Sequence, residues 1–265
     1  MKHYLGAVFF DIDGTLLDEN LQIFKPSPAV IAAVKTLQEK GYLVGIATGR
    51  ARCYLPDFGI DFDCYIACNG ATAEVDGVEI FNDAFPTEDL LEMIAFMEQE
   101  GIGYDLESTE LCYLQPSLIK EFQKMIELFR IEDKNCFVPL EDPNAITVNK
   151  ILAIFNRDDQ LAKMQEFCHG RYRPVPNRKT FSADVMKWHM SKATGIRAVL
   201  EHFHIPMENT YAFGDDNNDY DMLKEVTHAV IMTPHAPSLE DVAEYIVGSV
   251  AEDGICQGLK HYGLI

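Results

Sequence analysis

Two carboxylates sit close together in the run Asp11-Ile12-Asp13-Gly14-Thr15-Leu16, directly after the apolar stretch Ala7-Val8-Phe9-Phe10. On extended chain, residues two apart point to the same side, and a glycine at position 14 lets the backbone turn at once. Carboxylates about 4 Å apart repel by roughly 4 kcal/mol at an effective dielectric of about 20. The pair therefore calls for a cation, a shared proton or wide separation. A hard divalent cation with oxygen ligands meets that demand. Taken alone, the run is equally an ordinary strand end followed by a glycine turn.

A second acidic group follows the apolar run Thr210 to Phe213 in Gly214-Asp215-Asp216-Asn217-Asn218-Asp219-Tyr220-Asp221-Met222. A solvated loop would explain the charge, but its place at the end of an expected strand is where open α/β sheets bind ligands. A calcium loop of EF-hand type is excluded by spacing. Counted from Asp11, the sixth and twelfth positions are Leu16 and Gln22, and from Asp215 they are Tyr220 and Val226. That loop needs glycine and glutamate there. Between the two acidic groups lie Thr48-Gly49-Arg50, at the end of an expected strand, and Lys192, just after Ser191 at the start of an expected helix. A hydroxyl, backbone N–H groups and an ammonium are what the oxygens of a phosphoryl group require. Asn69-Gly70 ends a further strand and offers a weaker backbone contact to the same cleft.

These groups must be carried by elements. Apolar runs at Ala7–Phe10, Tyr42–Ala47, Cys64–Cys68, Thr210–Phe213 and Ala229–Met232 read as buried parallel strands. Between the first two, Ser27 can cap a helix, Pro28 suits its first position, Val30, Ile31, Val34 and Leu37 form one stripe, and Gly41 ends it. This alternation predicts an α/β, doubly wound parallel sheet. The middle differs. Helices are expected over Thr87–Glu100 and Ser117–Phe129, with a hairpin between them around Glu107–Leu114. A strand Lys150–Phe155, a helix Asp158–Cys168 and strands Arg171–Pro176 and Phe181–Met186 follow. The organisation expected is a core of residues 1–83 and 188–265, interrupted by an α+β domain at 84–187. Trp188, the single tryptophan, stands where the insertion returns and is expected to pack; Asp184 lies nearby.

Composition narrows the function. The 265 residues carry 22 Lys plus Arg against 42 Asp plus Glu, a formal charge of -20, so nucleic acid and membrane surfaces are not expected partners. With 48% apolar residues a sizeable core is expected. No apolar stretch of membrane-spanning or secretory length occurs, which predicts a cytoplasmic protein. Seven scattered cysteines without a CxxC pair read as reduced and mostly buried. Gly-x-Ser-x-Gly, the Walker loop and Gly-x-Gly-x-x-Gly are all missing, so a serine-triad hydrolase, a P-loop ATPase and a dinucleotide enzyme lack their fingerprints.

In order along the chain, Asp11-Ile12-Asp13-Gly14-Thr15, Thr48-Gly49-Arg50, Lys192 and Gly214-Asp215-x-x-Asn218-Asp219 resemble the four motifs of the haloacid dehalogenase-like (HAD) hydrolases. The large insertion, Cys68-Asn69-Gly70-Ala71 and the closing Asp253-Gly254-Ile255 resemble the Cof-type sugar-phosphatase branch. One departure is Ala193, where many members have glycine after the lysine. The resemblance implies a Rossmann-like core with an inserted α+β cap of the C2B type, and a phosphatase acting on a small phosphorylated metabolite, with a sugar phosphate among the candidates. It implies Asp11 as nucleophile forming an aspartyl-phosphate and Asp13 as general acid and then base. Mg²⁺ would be held by Asp11, the carbonyl of Asp13 and Asp215. Thr48, Gly49, Lys192 and Asn218 would bind phosphate, and Asp219 would orient Lys192 or a metal-bound water. Arg50 would steer the substrate or brace the cap, and Asn69, Gly70 and Asp184 are further candidate substrate contacts. The rival readings are a phosphomutase on the same fold and a non-catalytic metabolite-binding or regulatory protein. The intact Asp11, Asp13, Lys192 and Asp215 set argues against the latter.

Overall fold

In the computed structural model, which describes residues 2–118, 122, 134–177 and 180–265, the first apolar run forms strand β1 (Gly6–Phe10), buried along its whole length. The chain divides into two units: Met1–Gly49, Asp57–Phe81 and Ser191–Ile265 form one, Arg50–Pro56 and Asn82–Met190 the other.

The first unit is built on a sheet whose strands include β2 (Tyr42–Ala47), β3 (Cys64–Ala67), β4 (Thr72–Val75) and β5 (Val78–Asn82). Late in the chain come β12 (Thr210–Gly214), β13 (His228–Ile231) and β14 (Tyr245–Ile246), and the order is β14-β13-β12-β1-β2-β3-β4-β5. From β14 to β3 all neighbours are parallel, and β4 turns back antiparallel to β3. The chain leaves β1 toward β2 and later returns to β1's other side as β12, so the winding reverses between β1 and β12.

Helix α1 (Pro28–Glu39) begins where Ser27 Oγ accepts the Val30 N–H at 3.2 Å. It buries Val30, Ala33, Val34 and Leu37 and ends before Gly41, whose φ of 90° only glycine adopts readily. On one face of the sheet Ala7 and Phe9 meet Ile196, Val199 and Leu200 of α4 (Lys192–Phe203) and Met222 and Leu223 of α5 (Tyr220–Glu225). On the other, Phe10 meets the Phe213 ring at 5.1 Å, and α6 (Gly254–His261) brings Gly258 so near Phe213 that a Cβ there would lie 2.6 Å from the ring.

The second unit is α+β. Its sheet contains β6 (Gly103–Glu107), β7 (Cys112–Leu114), β8 (Phe137–Pro139), β9 (Lys150–Ile154), β10 (Tyr172–Pro176) and β11 (Ser182–Lys187), in the order β10-β11-β9-β6-β7-β8. All pairs are antiparallel except β7 with β8. Leu90, Met93, Ile94 and Met97 of α2 (Thr87–Glu100) and Met164 and Cys168 of α3 (Gln160–Cys168) cover Tyr104, Leu106, Ile151, Ala153 and Val185 on one face. The alternate residues Asp105, Glu107 and Lys150 point to the other face and are buried there. The two ends of the insertion are fastened together: Asp83 pairs with Lys187 and lies 2.9 Å from His189.

Three expectations change. Residues 50–56 group with the second unit, not the first, because Tyr54 O–H donates to Glu107 at 3.0 Å and its ring packs on Phe137. Trp188 is 58% exposed instead of packed. The sheet is not wholly parallel, since β4 is an antiparallel addition. The helix expected over Ser117–Phe129 falls mostly outside the described residues; Pro116–Leu118 is a short 3-10 turn.

Candidate active site

The winding reverses between β1 and β12, and doubly wound sheets hold ligands at the C-terminal ends of their strands at such a point. Asp11 follows β1, its N–H donating to the Phe213 carbonyl at 2.9 Å, and Asp215 follows β12. Residues 200 apart in sequence are thus neighbours: Thr15 Oγ1 donates to Asp215 Oδ1 at 3.2 Å. Gly14 makes this approach possible. With φ of 97°, it passes Asp215 so closely that a Cβ would lie 2.2 Å from Oδ2.

Lys192 enters from the first residue of α4 and is fully buried. Its Nζ donates to Asp11 Oδ1 at 2.5 Å and to Asp219 Oδ1 at 2.6 Å. Asp219 is committed on both sides, because its Oδ2 accepts the backbone N–H groups of Asp215 at 2.9 Å and Asp216 at 3.0 Å. It holds the lysine and the acidic loop in register. Two glycines let this helix start sit deep: a Cβ on Gly70 would lie 1.9 Å from the Ser191 carbonyl, and one on Gly195 2.4 Å from Ile66 Cγ2. Ala193, the residue after the lysine, is buried beside it.

One oxygen each from Asp11, Asp215 and Asp219 lies within 4.8 Å of the others. Burial first, then repulsion from Asp219 and Asp13 against the pull of Lys192, raises Asp11 to about 7. Burial, with repulsion from Asp219 and Asp11, raises Asp215 to about 9. Burial opposes charge on Lys192 too, yet Asp11 and Asp219 hold its ammonium above its ordinary value. Three clustered carboxylates, two of them buried against the single Lys192 ammonium, are not balanced by one positive charge. Asp11 Oδ2 and Asp215 Oδ2, both hard oxygen donors outside these hydrogen bonds, fit a divalent cation.

The phosphate-binding candidates are linked to one another through Asn69. The Thr48 carbonyl accepts the Asn69 N–H at 2.9 Å, and Asn218 Nδ2 donates to Asn69 Oδ1 at 3.4 Å. A Cβ on Gly49 would lie 3.1 Å from that same Oδ1. Thr48, Gly49, Asn69 and Asn218 thus form one patch, with Asn69 in the left-handed region at φ 52°. Gly70 has a packing reason of its own, the close approach to Ser191. Asp13 is half-buried and bridges to Leu17. Arg50 and Asp184 belong to the second unit, where Asp184 Oδ1 lies 3.4 Å from Lys150 Nζ.

Sequence reasoning gave Thr15 no role, although it stands in the first acidic run and its hydroxyl meets Asp215. It also missed the buried Glu107 and Lys150 and the half-buried Tyr54 of the second unit. The available signal was a lysine opening the otherwise apolar Lys150–Ile154.

The sequence model of the haloacid dehalogenase-like hydrolases matches residues 8–259. YkrA of Bacillus subtilis, provisionally named a phosphatase, is 28% identical over 97% of this chain and 98% of its own. The 5-amino-6-(5-phospho-D-ribitylamino)uracil phosphatase YitU of the same organism is 23% identical over 98% of both chains. A solved structure described as the HAD subclass IIB sugar phosphatase BT4131 superposes with a TM-score of 0.82 at 26% identity, covering 98% of this chain and all of the other.

Proposed function

The chain belongs to the haloacid dehalogenase-like hydrolases and is a phosphatase of a phosphorylated substrate, and from that premise we propose a Mg²⁺-dependent phosphatase of a small sugar or polyol phosphate. The observation that carries this reading is the cluster of Asp11, Asp215 and Asp219, with Lys192 Nζ donating to Asp11 and Asp219. Asp11 is the nucleophile: its carboxylate oxygen attacks phosphorus, the leaving alcohol departs, and a mixed anhydride forms. Asp13 gives a proton to the departing oxygen and then takes one from the water that hydrolyses the anhydride. Lys192 balances the charge that spreads over the phosphoryl oxygens, and Thr48, Gly49 and Asn218 hold those oxygens in place. Asp219 keeps Lys192 aimed. Asp11, the carbonyl of Asp13 and Asp215 would hold Mg²⁺, which when bound supplies positive charge to the phosphoryl oxygens and relieves the carboxylate repulsion.

The substrate class rests on the relatives' names, since a sugar phosphatase and a phosphoribitylamino-uracil phosphatase both act on a phosphate carried by a hydroxylated carbon chain. The test is release of inorganic phosphate, with Mg²⁺, from matched panels of sugar phosphates, nucleotides and pyridoxal phosphate. Fastest release from sugar or polyol phosphates is expected. Isomerisation of a sugar phosphate without phosphate release would overturn the hydrolase, and a clear preference for nucleotides would overturn the substrate class.

A further inference from the structure

Outside the site, the second unit holds two cysteine sulfurs in contact. Cys53 Sγ lies 3.6 Å from Cys112 Sγ, although 59 residues separate them. Cys112 opens β7 and is buried; Cys53 stands in a half-buried three-residue turn, Arg52–Tyr54. Both are thiols. The other described cysteines are buried, so Cys53 is the thiol a reagent reaches most readily. A disulfide places its sulfurs about 2.05 Å apart, so closing this pair takes a movement of about 1.5 Å.

We infer that Cys53 and Cys112 are a reversible disulfide site, formed by exchange with a low-molecular-weight disulfide. The Cys53 thiolate attacks one sulfur of R–S–S–R, the S–S bond breaks, and one RS⁻ leaves with its electron pair. The Cys112 thiol then gives its proton to solvent and attacks the Cys53 sulfur, expelling the second RS⁻. Two protein thiols are oxidised by two electrons, and one R–S–S–R becomes two R–SH once the thiolates take up the released protons. The order follows from access. Burial, the neighbouring Cys53 and the Asp105 and Glu107 carboxylates keep the Cys112 thiol protonated, so it acts second. The bond fixes Cys53, five positions after Thr48 in the chain, to β7.

The whole protein is incubated with oxidised glutathione, remaining thiols are alkylated, and the chain is cut with trypsin and a glutamate-specific protease. Cys53 then falls on the peptide 53–74 together with Cys64 and Cys68, and Cys112 on another, because Glu74 and Glu110 intervene, and fragmentation of the joined peptides reads which cysteine carries the bond. The wild type is expected to yield these two peptides joined, two hydrogens lighter than their sum and released by dithiothreitol. Cys112→Ser should accumulate glutathione on Cys53, and Cys53→Ser should give neither product. Alkylation of both thiols after oxidation would overturn the site, as would Cys53 joined to Cys64 or Cys68. The wild-type peptide map decides the matter even if a variant folds poorly, and no readout depends on phosphatase turnover.

Discussion

Lys192 ties two distant segments of the fold together and, in the proposed mechanism, balances phosphoryl charge as well. Its ammonium touches Asp11 and Asp219 within a fully buried setting. Lys192→Ala is expected to lower kcat/KM by about 10²–10³, or about 3–4 kcal/mol, the scale of a lost oxyanion donor. Phosphate-release kinetics on the folded variant measure it, and unchanged values would move the phosphate site elsewhere. Gly14 acts through space alone. Its φ of 97° and the 2.2 Å at which a Cβ would approach Asp215 Oδ2 mean that Gly14→Ala displaces that carboxylate. The Mg²⁺ concentration for half-maximal activity should rise about tenfold, equivalent to about 1.4 kcal/mol; an unchanged Mg²⁺ titration would show that Asp215 holds no ion. The acidic runs, Thr48, Lys192 and Asn218 could be picked out by type and position. The hydroxyl of Thr15 on Asp215, and the use of both Asp219 oxygens, could not, because they depend on contacts across 200 positions and on backbone N–H directions within a loop.

At the level of elements, periodicity read well wherever one face was apolar. Thr87–Glu100 and Tyr42–Ala47 have the boundaries expected, and Ser27, Pro28 and Gly41 mark α1 as their chemistry dictates. The antiparallel β4 was missed because Thr72–Val75 is a short run with Glu74 in it, whose direction is set by pairing with β3. The second unit's sheet hides its charges from such reading. Glu107 and Lys150 face each other across β6 and β9 at 3.0 Å, nearly dry, with Tyr54 adding a hydrogen bond to Glu107. Burial foremost, with Lys150 opposing, raises Glu107 to about 7 from its ordinary 4.5. The native state then keeps a proton that the unfolded chain gives up above about pH 4.5, so stability from this group is present at low pH and lost as pH rises through about 7. Denaturant midpoints across that range should fall with pH in the wild type and fall less in Glu107→Gln. Equal slopes in the two proteins would contradict this assignment.

For the whole molecule, the charge of -20 sets the problem that the site must solve locally. On the proposed reading, an anionic substrate meets a repelling surface and would be drawn in only where Lys192, N–H groups and a cation compensate. A ligand that binds only the native carboxylates stabilises the fold, by about 2.7 kcal/mol at a hundredfold excess over its Kd. Mg²⁺ is therefore expected to raise Tm, and Asp215→Asn to remove that rise; an equal rise in both proteins would place the ion elsewhere. The α/β core and the α+β insertion were legible from the alternation of runs, while the grouping of residues 50–56 with the second unit was not. It turns on Tyr54 and Cys53 meeting partners more than 50 positions away.

The most direct measurement follows the phosphoryl group itself. Protein mixed with ³²P-labelled substrate and Mg²⁺ and quenched in acid during turnover should carry label on the peptide containing Asp11, and Asp11→Asn should carry none and release no phosphate. Label on another residue, or phosphate release by Asp11→Asn at the wild-type rate, would contradict the site described.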